Sequence, residues 1–176
     1  MVTPHAGKQA PHAGKRVDRE EAYAVVAKVR DPELPMLTIA DLGILRDVRV
    51  RDDRVEVAIT PTYSGCPALE AIRTDVVQAL HTAGFTDVHV DTVLTPAWST
   101  DWISAEGRRT LAAHGVAPPE PRTRGRASGV DVPLSVRCPQ CGSLSTREVS
   151  RFGPAPCLAL RQCESCREPF EQMKTL

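Results

Sequence analysis

Two cysteine hooks decide what the end of this chain can fold into. Cys138-Pro139-Gln140-Cys141-Gly142 offers one pair of sulfurs and Cys163-Glu164-Ser165-Cys166 a second, with 21 residues between Cys141 and Cys163. Each short loop can turn two thiolates toward one ion, which is what a tetrahedral four-sulfur site needs. The segment 134–176 is too small to fold on a hydrophobic core alone. Metal binding supplies the missing stability, because an ion bound only by the folded form adds its binding energy to folding. A zinc ribbon over 134–176 is therefore expected, with Cys138, Cys141, Cys163 and Cys166 as ligands. Rubredoxin-type iron uses the same hooks, so zinc and iron both stay open. Losing the metal should unfold this segment and leave the preceding domain folded.

Two cysteines remain. Cys66 stands in Thr60-Pro61-Thr62-Tyr63-Ser64-Gly65-Cys66-Pro67, between an alternating run and a helical one. Val55, Val57 and Ile59 read as a half-buried strand; Leu69, Ile72, Val76 and Leu80 recur at helical spacing until Gly84. Pro67 suits the first helical position, since its φ is already helical and it has no N–H to leave unpaired. Cys66 is then expected at or near the N-cap, facing free N–H groups and the positive end of the helix dipole. That placement predicts a thiolate, with a pKa below the ~8.5 of a free cysteine. A buried cysteine closing a helix is the plainer alternative. Cys157, in Phe152-Gly153-Pro154-Ala155-Pro156-Cys157, reads as an additional thiol or as a small buried residue of the ribbon hairpin.

Along the chain, residues 1–16 hold a tandem repeat, Pro4-His5-Ala6-Gly7-Lys8 and Pro11-His12-Ala13-Gly14-Lys15, and predict a disordered tail. A domain over 17–115 follows. Asp18 and Glu21 suit a capping box, and Ala22, Val25, Val26 and Val29 make one apolar face, with Pro32 ending the helix. Asp31-Pro32-Glu33-Leu34-Pro35 then puts two carboxylates on a stiff turn. It is either a polar bend or a preset acidic pair offering oxygen ligands. Val48 and Val50, a turn at Asp52-Asp53, and Val55 to Ile59 predict a hairpin. Val88 and Val90 predict a third strand, and a last helix is expected from about Trp102 to His114, capped by Ser99, Thr100 or Asp101. Trp98 and Trp102, the only tryptophans, flank that cap and are expected to cover core. Residues 116–133, with Pro118, Pro119 and Pro121 and then Arg122, Arg124 and Arg126, read as a linker. The fold class is α/β: a small mixed sheet with covering helices, followed by the small C-terminal ribbon.

Composition narrows the partners. Lys and Arg total 22 against 22 Asp and Glu, which argues against coating nucleic acid or an anionic membrane. No apolar run approaches the ~20 residues of a membrane span. The N-terminus lacks a signal-type apolar stretch, so a cytoplasmic protein with reduced cysteines is expected. There is no Ser-His-Asp ordering and no Gly-rich phosphate loop, and His81 and His89 fall beyond the far end of the Cys66 helix. Enzymatic readings lose ground accordingly.

Asp31-Pro32-Glu33 between a helix and a hairpin, followed by the strand and Thr-Pro-Thr-Tyr-Ser-Gly-Cys-Pro at 60–67, resembles the iron–sulfur assembly domain family over about 18–115. Joined to Pro96-Ala97-Trp98-Ser99-Thr100-Asp101-Trp102-Ile103 and the ribbon, the whole chain resembles the accessory-subunit family of multicomponent phenylacetyl-CoA epoxidase. The resemblance implies that Cys66, Asp31 and Glu33 form the functional group for metal or cluster transfer, and that the ribbon cysteines hold metal. It implies a non-catalytic maturation factor that carries iron or an iron–sulfur cluster transiently for the epoxidase's oxygenase or reductase. Two other readings stand beside it: a stably bound rubredoxin-like electron carrier, and a docking module in which Cys66 is structural. A homo-oligomer is left open.

Overall fold

A computed structural model describes residues 18–63, 65–119 and 136–175. The expected tail and most of the expected linker lie outside the described residues. Helix α1 (Arg19–Val26) is capped by Asp18, whose carboxylate accepts the Glu20 N–H at 3.0 Å. It buries Ala22 and Val26. The helix stops well short of Pro32, where the sequence pattern placed its end. The backbone there is taken up by another partner: Ile39 N–H donates to the Val29 carbonyl at 2.9 Å, and Asp31 N–H to that of Leu37 at 3.1 Å. The loop 29–39 thus closes on itself and presents Asp31 and Glu33 at its apex.

Strands β1 (Leu45–Arg51) and β2 (Arg54–Ile59) form the expected antiparallel hairpin. Asp52 and Asp53 both have positive φ, 48° and 64°, as a two-residue turn matching strand twist requires. Helix α2 (Ala68–Thr82) crosses over to β3 (Val88–Thr92), which pairs parallel to β2. The sheet is therefore mixed, in the order β1-β2-β3. Ala68, Ile72, Val76 and Leu80 give α2 its buried stripe. Arg73 pins its outer edge to β3 through the Val90 carbonyl and, at 2.8 Å, the Thr92 hydroxyl.

Ser99 does act as a cap, but of a single 3-10 turn over Thr100–Trp102. Ile103 then returns to extended geometry, and helix α3 (Ala105–Ala113) starts three residues later than expected, capped by Ser104. Ser104 is held there because its hydroxyl donates to the Asp41 carboxylate at 2.8 Å while accepting the Gly107 N–H at 2.8 Å. Trp98 is buried and its indole N–H donates to the Leu42 carbonyl at 2.9 Å. Trp102 is partly buried against the same core and also takes the Arg46 guanidinium over its ring, 3.5 Å from the centroid.

Val116–Ala117, at the start of the segment expected as linker, forms strand β4. It pairs parallel to β7 (Pro169–Met173), beyond which lie β6 (Leu158–Cys163) and β5 (Thr146–Ser150) in antiparallel order. The second sheet runs β4-β7-β6-β5. It shares a core with the first domain, because Ala155, Cys157, Leu158 and Met173 belong to the same buried cluster as the α1, α2 and β1–β3 side chains. A smaller cluster of Ala117, Val136, Cys138, Cys163 and Phe170 lies around the hooks. Among the described residues, no helix is long and apolar enough to cross a membrane.

Candidate metal centres

The four ribbon cysteines come together as the spacing predicted. Their sulfurs all lie within 4.8 Å of one another, with Cys138 and Cys166 at 3.8 Å and Cys141 and Cys163 at 3.5 Å. A tetrahedron with metal–sulfur bonds of about 2.3 Å places its sulfurs about 3.8 Å apart, so the quartet fits one ion. Each hook ends alike: Gly142 and Arg167, one residue past the second cysteine, have φ of 74° and 68°. For an arginine that left-handed turn costs about 1–2 kcal/mol. The Cys166 N–H approaches the Cys163 sulfur at 3.5 Å and helps to hold that thiol down to about 6.

The second centre sits where the 29–39 loop meets the turn into α2. Asp31 is buried, and its Oδ1 accepts the Glu33 and Leu34 N–H groups at 2.9 and 2.8 Å. Burial nevertheless pushes its carboxyl pKa up against those two bonds. Glu33 is raised too, by burial and then by the charge of Asp31. Pro67, not Cys66, occupies the N-cap of α2, at φ −67° and ψ −23°. Cys66 stands one residue earlier, half-buried, where its sulfur faces the Ala68 N–H and the Thr62 hydroxyl.

The expectation of a depressed Cys66 pKa is corrected here. Burial pushes the thiol up, Glu33 and Asp31 push it further, and the Ala68 N–H opposes them without prevailing. The helix start acts as expected, but desolvation and two acidic neighbours outweigh it.

Asp31 and Glu33 act electrostatically on Cys66, and two further groups that the sequence did not connect with it feel the same charges. Tyr63 feels Cys66, Glu33 and Cys157 after the effect of burial. Cys157, in the ribbon segment, is buried, and its thiol is pushed up to about 12 by burial and then by Glu33, Asp31 and Cys66. No periodicity or spacing could have linked Cys157 to them, since the link arises from packing between distant segments. Among the described residues, only the ribbon quartet gathers three or more donor atoms within 4.8 Å, so this second group is a looser set than a finished metal cage.

Comparison with known proteins follows the same division. Residues 19–93 match the iron-sulfur cluster assembly protein family and residues 122–174 the PaaD zinc beta ribbon domain. A protein of Escherichia coli (strain K12) that carries the name of a 1,2-phenylacetyl-CoA epoxidase subunit is 42% identical over 156 residues, covering 89% of this chain and 92% of its own. The chain belongs to the PaaD family. Within it, the assembly domain has relatives of its own. An Fe-S protein maturation auxiliary factor of Porphyromonas gingivalis (strain ATCC BAA-308 / W83) is 34% identical over 94 residues, covering 52% of this chain and 89% of that one. A crystal structure of the DUF59 domain of unknown function from Bacillus anthracis superposes with a TM-score of 0.50 at 30% identity, over 53% of this chain and 90% of that one. The PaaD-family fold is thus an α/β iron–sulfur assembly domain extended by a four-cysteine ribbon.

Proposed function

We propose that this chain is a non-catalytic maturation factor that holds iron or an iron–sulfur cluster transiently through Cys66, Asp31 and Glu33 and passes it to a phenylacetyl-CoA epoxidase component. One observation carries the reading: burial raises the pKa values of Asp31, Glu33 and Cys66, and the charge of Asp31 adds to that of Glu33 as both acids do to that of Cys66, in a domain of the iron–sulfur assembly family. Such a group favours a cation. Binding one relieves the mutual repulsion and the desolvation penalty together, with protons leaving as the ion arrives. The set is also open, which release to a client requires. The maturation factor among the relatives and the epoxidase name carried by the other support the direction of delivery. In the ribbon, Cys138, Cys141, Cys163 and Cys166 hold a structural zinc, whose chemistry there is to close the fold.

The test is made in cells and then in vitro. Cells carrying Cys66→Ala should accumulate epoxidase subunits that are folded but short of iron or cluster. Epoxidase matured with the unaltered protein and then separated from it should keep its full turnover. Turnover lost on separation and restored by metal-free protein would refute the maturation reading and leave a structural or electron-carrying component. An iron-charged ribbon with a reversible redox couple would decide for the electron carrier.

A further inference from the structure

Exposed apolar side chains are concentrated on one stretch of the ribbon. Among the described residues, Tyr23 and Leu94 stand apart, whereas Leu144, Val149 and Phe152 fall together within 144–152, on and beside the edge strand β5. Phe152 is the extreme, 76% exposed. A lone exposed apolar side chain is ordinary, but this one is held in place. The Ser150 hydroxyl accepts the Phe152 N–H at 3.1 Å and donates to the Phe152 carbonyl at 2.9 Å. The Gly153 N–H then donates to the Leu158 carbonyl at 3.0 Å, and a Cβ at Gly153 would stand 3.0 Å from Leu158 Cβ. The turn is thus closed tightly against the start of β6. The Lys174 ammonium, fixed by the Pro156 carbonyl at 2.7 Å, lies over the Phe152 ring, 5.0 Å from its centroid. Backbone and ring are therefore ordered before any partner arrives, which lowers the entropy cost of binding one.

The charges beside the ring select the partner. Arg147 and Arg151 are exposed on either side of Val149 in sequence, and Lys174 adds a third cation, against the single carboxylate of Glu148 within 144–152. A two-fold contact between copies of this chain, centred on Phe152, would set those cations against themselves. A surface with an apolar hollow and carboxylates around it matches both the ring and its rim. We propose that Phe152 is the docking knob by which this chain holds its client, the ring entering an apolar pocket whose rim carries carboxylates for Arg147, Arg151 and Lys174. This rests on the reading of the chain as a factor acting on an epoxidase component, which is that client. An ordered aromatic side chain beside an arginine is the kind of residue that dominates an interface, while its neighbours contribute little. The knob stands on the ribbon, whereas Cys66, Asp31 and Glu33 belong to the assembly domain, so client recognition and cargo holding are separable by mutation.

The probes are the purified oxygenase and reductase components of the epoxidase, stripped of iron and cluster, titrated against full-length protein whose ribbon is filled with zinc. One of the two should bind the unaltered protein, and more weakly as salt is raised. Phe152→Ala should lose at least about 30-fold in affinity, and Arg151→Glu about tenfold, the latter through slower association. Leu94→Ala, which truncates an exposed leucine outside the stretch, should bind as the unaltered protein does. Tryptophan melts of the three variants should match the parent, and Arg151→Glu carries the test should Phe152→Ala melt lower. Unchanged affinity in Phe152→Ala overturns the inference, as does an equal loss in Leu94→Ala. A dimer of this chain that Phe152→Ala dissociates, with component binding unchanged, makes the occupant a second copy and also overturns it. Delivery of iron or cluster is read in parallel. Delivery by the unaltered protein without any Phe152-dependent binding sinks this inference and leaves the proposed function standing, whereas neither binding nor delivery sinks both.

Discussion

Stripping the metal from the ribbon should weaken the first domain, although none of the ribbon cysteines belongs to it. Leu158 and Met173 are 2% and 1% exposed and sit in the first domain's core. Burying side chains of that size contributes about 1.5–3 kcal/mol each, so a ribbon that comes apart withdraws about 3–6 kcal/mol. That is a large share of the about 5–15 kcal/mol holding a typical domain. At about 4–8 °C per kcal/mol for a domain of 60–100 residues, the transition should fall by at least about 12 °C. The assay is built in, because Trp98 and Trp102 are the only tryptophans and both report on the first domain. Tryptophan fluorescence melts before and after chelation, or with Cys141→Ser, give the shift. An unchanged tryptophan melt in metal-free protein would refute the shared-core argument and restore two independent lobes.

Other expectations concern single residues. Asp31→Asn keeps an oxygen for the Glu33 and Leu34 N–H groups and removes a buried charge. Because the folded-state pKa of Asp31 is raised, its stabilising effect is full below the ordinary carboxyl value and is lost as pH rises through the folded value. Asp31→Asn should therefore melt higher than the parent at pH 7, converge with it toward pH 3, and fail in delivery; a lower melt at pH 7 would refute the desolvation argument. With both thiols raised, alkylation of Cys66 in metal-free protein should climb about tenfold per pH unit around neutrality and outpace that of buried Cys157. Equal rates, read by mass spectrometry, would count against the exposure difference. Trp98→Phe leaves the buried Leu42 carbonyl without its donor and should cost about 1–3 kcal/mol in denaturant melts. Gly43→Ala meets Trp102 Cβ at 2.6 Å at a φ of 70°, and should cost about 1–3 kcal/mol from backbone strain alone.

The hairpin, the Cys66 helix and the quartet were legible because each is written in local order: alternation, 3.6-residue spacing, paired hooks. The errors fell where one local signal met a tertiary competitor. Pro32 is a good helix stop, but the helix had already ended because the 29–39 loop claims its backbone. Ser99 is a good cap, yet Asp41, 63 residues from Ser104 in sequence, selects the later start. The Cys66 pKa failed similarly. A helix terminus can be read from Pro67, whereas the burial and the acids that outweigh it come from another loop. Cys157 left no local trace at all.

Strand β4 has a practical consequence for anyone dividing this protein. The ribbon family match begins at residue 122, after Val116–Ala117 has already supplied the parallel neighbour of β7. A fragment started at that match would carry three strands of a four-stranded sheet. Its β7 would present unpaired backbone groups beside Glu171 and Gln172, and Leu158 and Met173 would face water. A bare edge next to an apolar face is a template for pairing between copies. Self-association of such a fragment would then be an artefact of the cut, and a poor guide to how the intact chain assembles.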